Sequence, residues 1–344
     1  MTAIEAWIEG WRRVWRAPAL VLGMLAASLA FALPLALVLR GMIAGHLGPS
    51  LAAEAALRGV NWDWWQEFAA QATGLGATFA PSVIGFAAPI ANVSDLLDNR
   101  RMATVVAAVV GVWLVLWSFL AGGMIDRLAR DRRLGVAGFA AAAGRHAGRL
   151  WRLGVLALGL YALLFGYVHG WLFDDLFRWA TREFTVERTA FLVRVGLYLA
   201  FGVLLVALNI VTDYARIRLV VEDRHSAVMA LVAGARFVRR RPGPVVLLYL
   251  LNGFGFLLLL RVYAAVAPGA SPSGVGFWLG VLLSQAYVAG RVLVKLQFYA
   301  SQVTYFQGQL AHAGYVAAPL AVPGDSAAAE ALRGAPVEPI PTRG

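Results

Sequence analysis

The sequence predicts an all-α fold, a polytopic transmembrane helical bundle of about six spans. Three observations predict it. Hydrophobic residues make up 60% of the 344 and charged residues only 14%, with a mean hydropathy of +0.69, too apolar for a water-soluble domain of this length. The charged residues punctuate apolar runs of roughly 20 residues, the length a helix needs to cross a bilayer core about 30 Å thick. The arginines, 29 of the 30 basic residues beside the single Lys295, cluster on alternate connecting segments.

Taken in order, residues 1–16 form an N-terminal interfacial amphipathic helix. Trp7, Trp11 and Trp15 recur at i, i+4, i+8 beside Arg12, Arg13 and Arg16, which places aromatics toward acyl chains and guanidinium groups toward phosphate. The transmembrane domain covers 17–315, with spans near 17–39, 102–125, 153–173, 195–212, 243–260 and 274–298. The first run follows arginines as a signal peptide does, but it is too long for the usual apolar segment and lacks a small-residue cleavage site, so it reads as a retained span. An outer loop, 41–100, separates the first two spans. Within it Phe68 to Ser94 carries no charge but is broken by Gly74, Gly76, Pro81, Gly85 and Pro89, and it reads as interfacial or re-entrant helix. The tail 316–344 is rich in Pro, Ala and Gly without periodicity and is expected to be disordered.

Arginine placement sets the orientation, because cytoplasmic flanks retain positive charge during insertion. With six spans and both termini cytoplasmic, the inner segments hold 21 of the 30 basic residues and ten of the 19 acids, so the whole formal charge of +11 lies on one side. The Ala, Gly and Arg bias suggests a bacterial chain, hence the bacterial cytoplasmic (inner) membrane. The basic segments resemble one another: arginines at 12, 13 and 16, at Arg145, Arg149 and Arg152, and at Arg236, Arg239, Arg240 and Arg241 each end an amphipathic stretch before an odd-numbered span. Asp131-Arg132-Arg133 and Asp223-Arg224-His225 lie 92 residues apart. Three repeated helical hairpins, pairing spans one with two, three with four and five with six, are one arrangement that fits; insertion rules alone also generate such flanks.

Arg12, Arg13, Arg16, Arg145, Arg149, Arg152, Arg239, Arg240 and Arg241 are therefore candidates for binding anionic lipid headgroups or a protein partner. Ionisable groups within spans are costly and are the other candidates. Asp213 and Arg216 sit at i, i+3 in span four, where an ion pair closing the helix at the headgroups is the plain reading. Arg291 and Lys295 sit at i, i+4 in span six with Gln285, Gln297, Gln302 and Gln307 on or beyond that helix. They either snorkel to the interface or form a polar stripe along an anion pathway. His169 with Asp174 and Asp175 faintly resembles a metal or proton site, although an interfacial histidine beside Trp171 explains it more simply. The absence of cysteine excludes disulfides, thiolate catalysis and cysteine metal sites. No phosphate loop, nucleophile elbow or zinc-helix motif occurs, so neither a cofactor nor enzymatic activity is expected, and nucleic acid is not an expected partner.

The string Asp213-Tyr214-Ala215-Arg216, the Glu222-Asp223-Arg224 after it, and the helix ending Phe237-Val238-Arg239-Arg240 resemble uncharacterised bacterial six-helix membrane proteins, similar to the membrane domain fused to some glycerophosphodiester phosphodiesterases. The resemblance spans roughly residues 100 to 310. It implies the six-helix bundle and no more, since the catalytic domain with its His and Glu residues has no counterpart here. The expected role is a non-enzymatic membrane protein that binds lipid or a partner through its basic helices; the alternative is a small-molecule or lipid transporter or channel.

Overall fold

The computed structural model describes residues 1–311 except 49, 51, 59–60, 82–86, 101–103, 133 and 268–273. The expected disordered tail therefore lies outside the described residues. Helix α1 (Ala3–Trp15) opens the chain, its first turn closed by a capping box in which the Thr2 hydroxyl accepts from the Glu5 N–H and the Glu5 carboxylate accepts from the Thr2 N–H. Pro18 at the first position then starts α2 (Pro18–Leu47). Three short helices follow, α3 (Ala52–Arg58), α4 (Trp62–Gln71) and α5 (Ala87–Leu97), before α6 (Thr104–Arg130). Helix α7 (Val136–Leu163) runs on through two π-helical stretches, Leu164–Val168 and Trp171–Leu176, into α8 (Phe177–Thr181). After α9 (Glu187–Val221) come the short α10 (Ala227–Arg240), α11 (Pro242–Val266) and α12 (Gly274–Ala311).

Among the described residues six helices are long and apolar enough to cross a membrane: α2, α6, α7 with α8, α9, α11 and α12. The polytopic helical bundle is the fold of this chain. None of the six lies in Phe68–Ser94, where α4, a single 3₁₀ turn at Gly76–Thr78 and α5 are described. The Gln309 amide donates to the Met1 carbonyl at 3.2 Å, so the end of α12 meets the start of α1 on one side of the bundle, called here the N-terminal face.

Each even-numbered span projects past its apolar run at this face and lies against an amphipathic helix. The three most extensive helix contacts are α6 with α7, α9 with α10, and α12 with α1. The third joins opposite ends of the chain and repeats the second in register. Ala3, Ala6, Gly10 and Val14 form the buried stripe of α1, and Ala227, Ala230, Gly234 and Phe237 that of α10. Thr2 and Ser226 are the N-caps, and Pro18 and Pro242 both restart the helix as a span. Small residues let the backbones approach closely. A Cβ on Gly10 would lie 2.8 Å from the Ser301 nitrogen, and one on Gly234 would lie 3.0 Å from the Val211 carbonyl oxygen. The middle copy differs, because α7 has no proline and passes from amphipathic stretch to span without a break. Asp131 (φ 43°) and Asp223 (φ 52°) adopt the same left-handed backbone where α6 and α9 end, a conformation that Asp tolerates better than most residues. Spans three with four and five with six pack as pairs, whereas α2 lies mainly against α12.

Burial is concentrated near the N-terminal face. The main core draws on Met124, Ile125, Tyr214, Ile217, Leu219, Val245, Leu248, Tyr299, Val303 and Phe306, all on the parts of their helices nearest that face. Toward the opposite face the buried groups among the described residues are smaller: Leu172, Phe173 and Phe201 with His169, and Trp64 with Phe68 on α4.

Candidate functional site

The four ionisable residues expected within the spans, Asp213, Arg216, Arg291 and Lys295, line a single cavity of about 740 Å³. Five spans build it: α2 contributes Met24, Ser28, Phe31 and Ala32, α6 Trp113 and Trp117, α9 Asn209 with the ion pair, α11 Tyr249 and Phe256, and α12 the two remaining cations. Its volume is within the range of small-ligand pockets.

The Arg216 guanidinium binds Asp213 Oδ1 at 2.6 Å, and the Asp213 side chain is only 6% exposed. The Tyr249 hydroxyl donates to the other carboxylate oxygen and accepts from the Asn209 amide at 3.3 Å. The carboxylate is thereby fully engaged by neighbours on α9 and α11. Lys295 and Arg291 have no such partner: among the described residues no carboxylate lies within ion-pair distance of either. Aromatic faces hold them instead. Lys295 Nζ lies 5.5 Å from the centre of the Trp117 ring and 5.2 Å from that of Tyr299, and Arg291 lies 5.8 Å from that of Tyr287. Such contacts orient a cation without neutralising it. Three cations thus face one carboxylate.

The wall is polarised along the bundle axis. Asp213, Arg216, Tyr249 and Lys295 sit toward the N-terminal face, while Phe31, Trp113, Phe256 and Val288 form the end nearer mid-membrane. Seven residues, about 10 Å of helix rise, separate Met24 from Phe31 on α2 and Tyr249 from Phe256 on α11.

The glutamines of α12 do not join this wall. Gln297 donates to the Trp7 carbonyl at 2.7 Å, and Gln307 donates to the Ala129 carbonyl at 2.8 Å while accepting from Arg13. Gln297 and Gln307 fasten α1 and α6 to α12, whereas the Gln302 side chain is buried without a hydrogen-bond partner among the described residues.

The nine candidate arginines of the amphipathic helices also divide. Arg13 donates to the Leu128 carbonyl and to Gln307, Arg16 pairs with Asp131 at 3.3 Å, and Arg149 pairs with Asp223. Burial works against the Asp223 carboxylate, but Arg149 outweighs it and holds the group below the usual carboxylate range. Arg12 reaches Glu9 at 3.4 Å, Arg152 only the Gly148 carbonyl of its own helix, and Arg241 the Phe237 ring. Arg145, Arg239 and Arg240 are exposed with no carboxylate in reach among the described residues. Trp7, placed by its spacing toward acyl chains, packs against the core instead, whereas Trp15 is 68% exposed.

His169 is a packing residue. It is 8% exposed, Nε2 donates to the Leu97 carbonyl at 2.9 Å, and its ring lies among Phe165, Phe173 and Phe201. Among the described residues no group of His, Asp and Glu could hold a metal ion.

The chain matches no family model, no curated protein and no solved structure. Function must therefore be read from the site itself.

Sequence reading missed Tyr249, Asn209 and Trp117 as parts of the site. An intramembrane asparagine was visible in the sequence, but the face each helix turns inward was not. It also missed Asp126, which is fully buried and ion-paired to Arg130 at 2.7 Å and Arg132 at 3.4 Å. Asp126 had marked only the edge of a span.

Proposed function

We propose that this integral membrane protein binds an anionic ligand in the intramembrane cavity, as a non-enzymatic binding or transport protein. The observation that carries the reading is the surplus of two cations there. Asp213 and Arg216 satisfy each other, and Arg291 and Lys295 are left in a region where an unpaired charge costs several kcal/mol unless wet, able to snorkel or matched by a counter-ion. A bound anion supplies that match. If the N-terminal face is cytoplasmic, as its arginines argue, the site opens toward the inner leaflet.

The test is ligand-dependent thermal stability of purified protein in neutral detergent. The probes are inorganic phosphate and phosphatidylglycerol, compared between the native chain and Arg291→Gln/Lys295→Gln. The expected result is a rise in melting temperature with at least one probe, absent in the double variant. An equal response of both proteins to both probes would overturn the proposal.

Arg145, Arg239 and Arg240 favour a second role that is compatible with the first. With the exposed apolar residues Val228, Met229 and Val232 on α10, they suit an anionic membrane surface, where each basic residue contributes about 1 kcal/mol.

A further inference from the structure

The geometry points to a lipid as the occupant: a molecule with an anionic headgroup at the Lys295 end, within reach of Arg291, and an acyl chain along the aromatic end, reaching the site sideways past α2. This rests on the anion-binding reading above and narrows it to one source of the anion.

Polarity is the first argument. A freely soluble anion needs polar contacts on all sides, because each unmatched face loses hydration. Toward the N-terminal face this cavity offers Lys295, Arg216, a carboxylate and a phenol, and Arg291 stands one helical turn from Val288 where the apolar lining begins. Its other end presents Phe31, Ala32, Trp113, Leu114, Phe256 and Val288, a lining suited to hydrocarbon. The charged end also lies toward the N-terminal face and the apolar end toward mid-membrane, the order in which a leaflet lipid already lies.

The second argument is the wall itself. Only Leu20 and Met24 of α2 are buried, while Leu22, Leu29, Leu33, Leu37 and Val38 are between 47% and 67% exposed. The same helix gives the cavity Met24, Ser28, Phe31 and Ala32, at i, i+4, i+7 and i+8, which is one face. Beyond the buried pair, Phe31 meets Trp113 with ring centres 5.1 Å apart. Pro34 then breaks the hydrogen-bond ladder inside the helix, giving α2 a natural bending point on the membrane side of the site. The boundary between cavity and bilayer is thus its least packed span.

The experiment counts ligand on detergent-stripped full-length protein by native mass spectrometry. It uses phosphatidylglycerol, phosphatidylcholine with the same chains, and inorganic phosphate as separate probes. Arg291→Gln/Lys295→Gln removes the charged end; Ala32→Trp and, from the facing wall, Val288→Trp fill the apolar end, each variant first checked for monodisperse elution. The expected result is preference for phosphatidylglycerol over phosphatidylcholine, weakened about tenfold or more by the charge variant and by either plug, a factor equal to 1.4 kcal/mol. Phosphate binding that needs the cations but ignores the plugs, with phosphatidylglycerol bound no better than phosphatidylcholine, would overturn the lipid inference and leave the anion site standing. Binding of both anionic probes unchanged in the charge variant would overturn both.

Discussion

The two halves of the bundle are built on different principles. Near the N-terminal face, amphipathic helices and span ends interlock through small residues into one core, with Gly10, Gly122 and Gly234 each in backbone-close contact with a neighbouring helix. Toward the opposite face the same spans carry glycines with open space around them, among them Gly111, Gly196 and Gly202, and contact is made by aromatic rings such as Phe173 with Phe201 and Phe31 with Trp113. The cavity opens where one regime gives way to the other. A helical membrane protein can thus keep a rigid polar base and a yielding hydrocarbon-facing rim in one set of helices, by changing residue size along each span.

Removing the buried carboxylate of the rigid half is expected to have the largest effect. Asp126→Ala leaves fully buried His146 without the carboxylate 3.5 Å away and releases the partly exposed Arg130 and Arg132, at a cost of about 3 kcal/mol, and should lower the melting temperature in detergent by several degrees. His169→Ala, a buried polar residue of the other half, should lower it less; equal losses would erase the contrast between the halves. Next in size, Gly234→Leu forces α10 off α9 at a cost of about 2 kcal/mol, whereas Gly111→Leu meets only open space and should leave stability unchanged or slightly raised. Similar melting curves for the two leucine variants would show that close backbone approach does not hold the N-terminal half together.

The smallest expected effect sharpens the comparison at its edge. Asp223 has its pKa lowered in the folded protein by Arg149, so its contribution is complete above the ordinary carboxylate pKa of about 4 and is lost as pH falls through the lowered value. Melting temperatures of the native chain and Asp223→Asn should therefore differ at pH 7 and converge toward pH 3. A gap that persists in acid would assign the stabilisation to some other contact.

Much of the fold was legible because membrane insertion writes itself into one-dimensional pattern: runs bounded by Arg16 and Arg40, or by Arg241 and Arg261, need no tertiary information. The intramembrane charges were legible one at a time for the same reason. Their convergence was not, since i, i+3 spacing fixes Asp213 beside Arg216 but says nothing of whether span four faces span six. The amphipathic helices were visible as stripes of Trp and Arg, yet their docking faces are Ala and Gly, whose signal is the absence of bulk. The register of Thr2 to Pro18 with Ser226 to Pro242 was present in the sequence, but as small residues and caps, a fainter pattern than the arginines beside them.

The contact between α1 and α12 has a consequence for synthesis. Gly10 cannot meet Ser301, nor can the Trp7 carbonyl receive Gln297, until α12 has left the ribosome. The first helix made must wait at the membrane surface, its Ala and Gly stripe uncovered, through the insertion of five spans. The joint that gives the base its rigidity is therefore also the last to close, and a ribosome stalled before residue 297 leaves a protein whose first helix has nowhere to dock.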